Sequence, residues 1–394
     1  FSRSKIKINY ILENQNLSSN FKLATSPQMI EHIQQSVNYT VYDVKWIPCS
    51  AKFIILGSKP NSNGIFQIYE LNECKLEMVK EVVKKNAFKC GSFGAASLRN
   101  RHMAIGDFNG RLQVLDLERP EIPVYNVEAH KSIINTIDAM GGKQIDCGAP
   151  EIVTGARDGA VKVWDIRQGE APVVDMTPEH GEGMAPPTRD CWAVAFGDSY
   201  NTHDRCVAAG YDNGDLKLFD LRMLAVRWET ALKNGICGIE FDRKDIPMNK
   251  MAVTTLEGGL RVYDMRTQHP TKGFGCVEER NAGRSVGSNG VISGPKATVW
   301  TVRHLPQNRD IFVTGGGTGS LRLWQYEYPE KRRKDAGDGH DISVAGTLNM
   351  LHASTISSQP VHCFDWHPDK LGLGVCGAFD QSVRVLVTTK LNLY

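Results

Sequence analysis

His130, Thr154, Asp158 and Trp164 are the residues of this chain whose types come closest to a reactive set. An imidazole, a hydroxyl and a carboxylate can move protons or hold a metal when they converge. Their setting points elsewhere. Val161 and Val163 alternate with Lys162 and Trp164, the period of a pleated strand, and Arg157-Asp158-Gly159 is a tight-turn sequence just before it. Thr154 lies on the run entering that turn. The pattern predicts a hydrogen-bond network buried inside one small sheet, a structural role and not catalysis or metal binding.

Other chemistry is sought without success. The sequence has no Gly-x-x-x-x-Gly-Lys-Ser/Thr phosphate loop, no His-Glu-x-x-His and no Gly-x-Ser-x-Gly. Gly315-Gly316-Gly317 precedes the run to Trp324 as a hairpin turn. The eleven histidines do not cluster at ligand spacing. Ten cysteines (Cys49, Cys74, Cys90, Cys147, Cys191, Cys206, Cys237, Cys276, Cys363 and Cys376) contain no Cys-x-x-Cys pair, which argues against a zinc site. Several lie in strand-like runs, where Cys acts as a small apolar residue. Reduced thiols fit the cytosol. No catalytic residue, metal ligand or cofactor is assigned.

The elements that carry these residues repeat. A Gly stands five residues before Trp164, with apolar residues three and one before it. The same grammar recurs before Tyr69, Leu115, Phe219, Tyr263, Trp324 and Leu386, although Gln381 replaces the Gly in the last copy. The seven anchors lie roughly 44 to 62 residues apart, about one four-stranded propeller blade each. Two further strand-like runs precede each anchor, for instance 41–46 and 53–56 before Tyr69. One blade cannot bury both its faces, whereas seven stacked radially can. The expected fold is therefore all-β, a seven-bladed β-propeller over residues 28–394, with a β-sandwich as the competing architecture. Residues 1–27 read as a poorly ordered extension. The chain stops soon after Leu386, so the last blade lacks an outer strand of its own. Residues 29–34 look like a strand and are expected to fill that place and close the ring.

With 46 basic and 44 acidic residues among 394, the net charge of +2 argues against a nucleic-acid or membrane partner held by charge. No apolar run approaches the ~18–20 residues of a spanning helix. Three loops break the rhythm: 177–189, Gly- and Ser-rich 280–296, which should be mobile, and 326–346. The last carries Lys331-Arg332-Arg333-Lys334, read as a solvated surface.

Aligned innermost strands share one variable position, held by Tyr42, Lys89, Asn135, Trp192, Cys237, Trp300 and His362. It should face the central channel on the side of the tight turns, where Phe108, Arg157, Tyr211 and Phe379 lie. Aromatics and Arg are enriched among interface hot spots. Tyr42, Phe108, Arg157, Trp192, Tyr211, Trp300 and Phe379 are thus the candidate partner-binding residues. On the opposite face three blades end in Asp-x-Arg, at Arg167, Arg222 and Arg266. An Asp–Arg pairing explains them structurally, and a docking surface is the alternative.

Only Trp164-Asp165 matches the full Trp-Asp ending, yet the anchors resemble the WD-repeat family. Segments 30–36, 48–53, 241–245, 268–274 and 303–309 are similar to the WD-repeat factors linked to axonemal dynein pre-assembly. That resemblance implies a cytoplasmic adaptor, found also in the cilium or axoneme, without catalytic residues. Its implied partners are the RuvB-like ATPase and prefoldin-like co-chaperone complex and axonemal dynein chains. Two other expectations stay open: a substrate receptor of a cullin–RING ubiquitin ligase, whose docking motif the Asp-x-Arg endings resemble, and a structural axonemal component.

Overall fold

The hairpin around Gly159 sets the pattern for the whole molecule. Val153 opposes Val163 and Gly155 opposes Val161 in an antiparallel ladder, so one face stays apolar on both strands. The ladder turns at Gly159 with a φ of 79°, in the left-handed region that Gly enters without a Cβ clash. The equivalent Gly110, Gly214, Gly258 and Gly319 have φ between 75° and 92°. In the last blade Gln381 occupies that place at φ 58°, at a steric cost that glycine avoids.

A computed structural model describes residues 26–97, 100–141, 150–177, 189–201, 203–287 and 292–394. The described residues form seven four-stranded antiparallel sheets, numbered here as blades in chain order of their inner strands. Those inner strands are Thr40–Trp46, Phe88–Phe93, Ile134–Met140, Cys191–Gly197, Ile236–Phe241, Val299–Leu305 and Val361–Trp366. Each touches the next, and the seventh lies beside the first. The result is a seven-bladed propeller, as the repeat predicts. All seven anchors fall on the third strand of their blades, with the outermost of them only 9% exposed.

The core is divided among the seams. Seven apolar clusters each join two neighbouring blades, such as Tyr39, Val41 and Phe53 of the first with Val375, Val383 and Val385 of the last. The ring closes as expected. Met29–Ser36 is the outer strand of blade seven, antiparallel to Ser382–Thr388. Glu31 is ion-paired at 3.1 Å with Arg384, and the Gln28 carbonyl accepts the Thr389 N–H at 2.9 Å.

The network in blade three forms as predicted. Thr154 Oγ1 lies 2.7 Å from His130 Nε2 and accepts the Trp164 indole N–H at 2.9 Å, while His130 Nδ1 faces Asp158 at 3.2 Å. Apolar packing is not the sole device of the other blades. Trp324 donates to Thr314 at 2.9 Å in blade six. Arg384 of blade seven pairs with Asp380 at 2.7 Å. At the seam of blades five and six, Lys250 is fully buried against Asp310 at 2.6 Å and the Tyr328 hydroxyl at 2.7 Å.

The long loops are partly ordered. Within 280–296, Ser285–Val286 pairs with Ile292–Ser293, so the expected mobile stretch contains a short ladder. Within 326–346, Arg333–Asp335 pairs with Asp341–Ser343 as a hairpin. The extension expected at 1–27, apart from its last two residues, lies outside the described residues, as do Cys147 and most of loop 177–189.

Candidate partner-binding surface

Every inner strand breaks register at the same point. The ladder skips one residue between Val41 and Asp43, and likewise after Phe88, Ile134, Cys191, Ile236, Val299 and Val361. The skipped residues are Tyr42, Lys89, Asn135, Trp192, Cys237, Trp300 and His362, the variable position of the sequence alignment. A bulge leaves its extra residue out of the ladder and redirects the side chain. Here the seven side chains line a central cavity of about 940 Å³. The bulge is thus what turns a repeat built for packing into a site.

The side chains form a nearly continuous aromatic arc across blades six, seven, one and two. Trp300 meets Phe379 edge-on at 6.3 Å, and Phe379 stacks on His362 with ring centres 4.2 Å apart. Tyr42 packs on Phe108 at 5.1 Å, and the Lys89 ammonium lies 4.8 Å from the Tyr42 ring centre. Burial pushes His362 down from 6.5 to about 4, helped by the neighbouring Lys89 charge, so this imidazole is neutral at pH 7. Burial also lowers Lys89 and pushes the Cys237 thiol up to about 12, which leaves the thiol protonated. At the bulge positions the mouth is mostly aromatic, with Lys89 its one ammonium. Such a surface binds by desolvation and shape and offers no activated nucleophile.

Three residues further along each inner strand lies a second ring, which the sequence reading passed over: Lys45, Ser92, Asp138, Ala195, Glu240, Arg303 and Asp365. Its signal was present as a polar residue three positions after each variable one except Trp192, where Ala195 stands. Its carboxylates stitch the blades together. Asp138 accepts the Phe196 N–H at 2.9 Å, Asp365 accepts that of Trp46 at 2.7 Å, and Glu240 accepts that of His304. Asp43 does the same for Gly91 at 3.0 Å. In each pair the carboxylate belongs to one blade and the amide to the next, so the cavity wall is tied around the ring. Burial holds the Asp365 carboxyl above the ordinary range.

The other candidates divide. Tyr42, Trp192, Trp300 and Phe379 line the cavity, and Phe108 joins them through Tyr42. Phe379 is 43% exposed. Arg157 stands exposed on the same rim, 3.7 Å from Asp190. Tyr211 does not belong to this surface. It is 3% exposed and packs in the seam of blades three and four with Cys191 and Val194, because its ring turns into the apolar gap that the turn leaves open. On the opposite face, Arg167 pairs with Asp165 at 2.9 Å as the structural account expects. Arg222 and Arg266 do not follow. From these two arginines Asp220 and Asp264 accept only the backbone N–H, at 2.9 and 3.0 Å.

Comparison with known proteins agrees with this geometry. The WD domain, G-beta repeat model matches residues 121–165, the one stretch with the complete ending. The chain is 55% identical to dynein axonemal assembly factor 10 of Homo sapiens over 93% of this chain and 98% of that protein. It is 50% identical to the protein of the same name in Chlamydomonas reinhardtii, over 94% and 99%. With the Dictyostelium discoideum protein the identity is 24% over 91% and 94%. On near full-length identity of this level, the chain belongs to the dynein axonemal assembly factor 10 family of WD-repeat propellers.

Proposed function

We propose that this protein is a non-enzymatic scaffold in the cytoplasmic pre-assembly of axonemal dynein arms, gripping a partner at the aromatic mouth of its channel. The observation that carries this reading is the set of seven aligned bulges, which aim Tyr42, Trp192, Trp300 and their neighbours into one rigid opening. The relatives' name supplies the process, and the resemblance supplies the partners: axonemal dynein chains and the RuvB-like ATPase with its prefoldin-like co-chaperone. A stable contact of this kind buries roughly 1,200–2,000 Å² in total. The protein acts in the cytoplasm; among the described residues no helix is long and apolar enough to cross a membrane.

The Trp192→Ala, Trp300→Ala double variant tests the reading. Both side chains are only half-buried at the mouth, so the ring should still melt cooperatively near the wild-type temperature. Capture of dynein chains and co-chaperone subunits from ciliating cells should fall at least tenfold, the scale of losing a central aromatic hot spot. A folded variant with undiminished capture would assign binding to another face. Of the three Asp-x-Arg endings on which the ligase-receptor alternative rests, Arg167 is ion-paired with Asp165 within its own motif.

A further inference from the structure

The Asp-x-Arg ending of blade five differs from that of blade three, and the insertion in blade six takes its aspartate. In blade three the motif closes on itself, with both Asp165 oxygens taken by the Arg167 guanidinium. In blade five the equivalent Asp264 carboxylate is claimed by Arg332, which donates to one oxygen from Nε at 3.0 Å and from Nη2 at 2.7 Å. Arg332 comes from the segment between the third and fourth strands of blade six. Arg266 keeps only its backbone N–H on Asp264, as Arg222 does on Asp220 in blade four. Arg266 is exposed, with no side-chain hydrogen bond or ion pair among the described residues.

Arg266 does not stand alone. Arg266, Thr267, Lys331, Arg332 and Arg333 line a cleft of about 600 Å³ on the face opposite the tight turns. Lys331 and Arg333 are exposed, and Arg333 lies 3.5 Å from Asp341 across the hairpin ladder. The wall is fixed. Arg332 stacks over Tyr328 at 4.7 Å, Asp338 meets His269 at 2.9 Å, and Ser343 accepts the Gly275 N–H. The hairpin is thus pinned to blade five at Asp264, His269 and Gly275. Three exposed cations in a fixed cleft, of which Arg333 alone is ion-paired among the described residues, are out of proportion to a chain whose net charge is +2.

We infer that this cleft is a second binding site, built to take an acidic peptide segment of a partner protein. Arg forks match carboxylates in bidentate geometry, and Lys331 adds a point charge. The Thr267 hydroxyl supplies one hydrogen bond beside them. A nucleic acid fits less well, because no aromatic side chain lines the cleft for a base to stack on and the chain as a whole attracts a polyanion weakly. The site lies on the opposite face from the channel mouth, so it stands whether or not the mouth is where a client binds. A propeller with both sites can hold two partners at once.

The test uses the full chain and a fluorescein-labelled peptide of twelve residues rich in Asp and Glu, read by fluorescence anisotropy. Wild type should bind the peptide, more weakly as salt rises. Arg266→Glu, Lys331→Glu, Arg333→Glu together should weaken binding more than about tenfold, while Arg167→Glu and the Trp192→Ala, Trp300→Ala variant bind as wild type. Arg332 is left intact because it holds the hairpin. If the triple reversal does not fold, the corresponding Gln triple serves, and about tenfold loss is again expected. No binding by wild type would overturn the inference. So would equal loss in Arg167→Glu, which would mean bulk charge, or tighter binding of a twelve-nucleotide oligouridine than of the peptide, which would mean a polyanion surface without selectivity.

Discussion

At the scale of single residues, the bulge position explains why one side chain can be read as core and site at once. His362 follows the apolar Val361 and precedes Cys363, and its ring is held against Phe379. Alternation alone would not say where it points, because the bulge breaks the alternation. The consequence is measurable. In the folded protein His362 titrates near 4, below its ordinary 6.5, so the unfolded chain binds that proton more readily. Its contribution to stability is therefore complete above pH 6.5 and is lost as pH falls from 6.5 toward 4. Melting temperature plotted between pH 7.5 and 4.5 should fall less steeply for His362→Gln than for wild type. Parallel curves would show that His362 is solvated and does not stack in the mouth. Tyr211 marks a misreading of register at this scale: it is the last residue of its strand, three before Gly214, whereas Phe108 lies past its strand, two before Gly110, and that one-residue difference puts the Tyr211 ring in the seam.

At the scale of the strand and blade, legibility followed repetition. The seven anchors and the strand pairs before them were visible because each blade must satisfy the same alternation and the same turn. Gly159 and its equivalents are required where φ is positive. The closing strand was legible as a strand-like run, 29–34, ahead of the first inner strand, and it pairs with Ser382–Thr388. What the repeat could not show was anything made by one blade for another. The carboxylate stitches, the burial of Lys250 beside Tyr328, and Arg332 reaching Asp264 all join residues far apart in sequence. Residues 28–36 carry the sharpest prediction here. Their deletion removes the Glu31–Arg384 pair and the ladder to Ser382–Thr388, and leaves a bare edge. It should lower stability by more than about 4 kcal/mol in urea unfolding, beyond the usual reach of one substitution. A loss within about 1 kcal/mol would mean that the ring does not depend on its closing strand.

At the scale of the molecule, the core is not one cluster but seven, each shared by two blades. No blade can move far without opening two seams, and the inner strands are tied by side-chain carboxylates as well as by packing. A stiff ring of this kind loses little order when a partner binds, which favours affinity from a modest contact area. It also separates two chemistries by the height of the propeller, an aromatic mouth on one face and a cationic cleft on the other. The most direct measurement places a photo-crosslinking amino acid at Phe108 or Phe379, with Glu229 on an outer strand as the control, and identifies crosslinked proteins in ciliating cells. The account predicts axonemal dynein chains or co-chaperone subunits crosslinked from Phe108 and Phe379 and not from Glu229. Crosslinks to those proteins from Glu229 alone, or from none of the three, would contradict it.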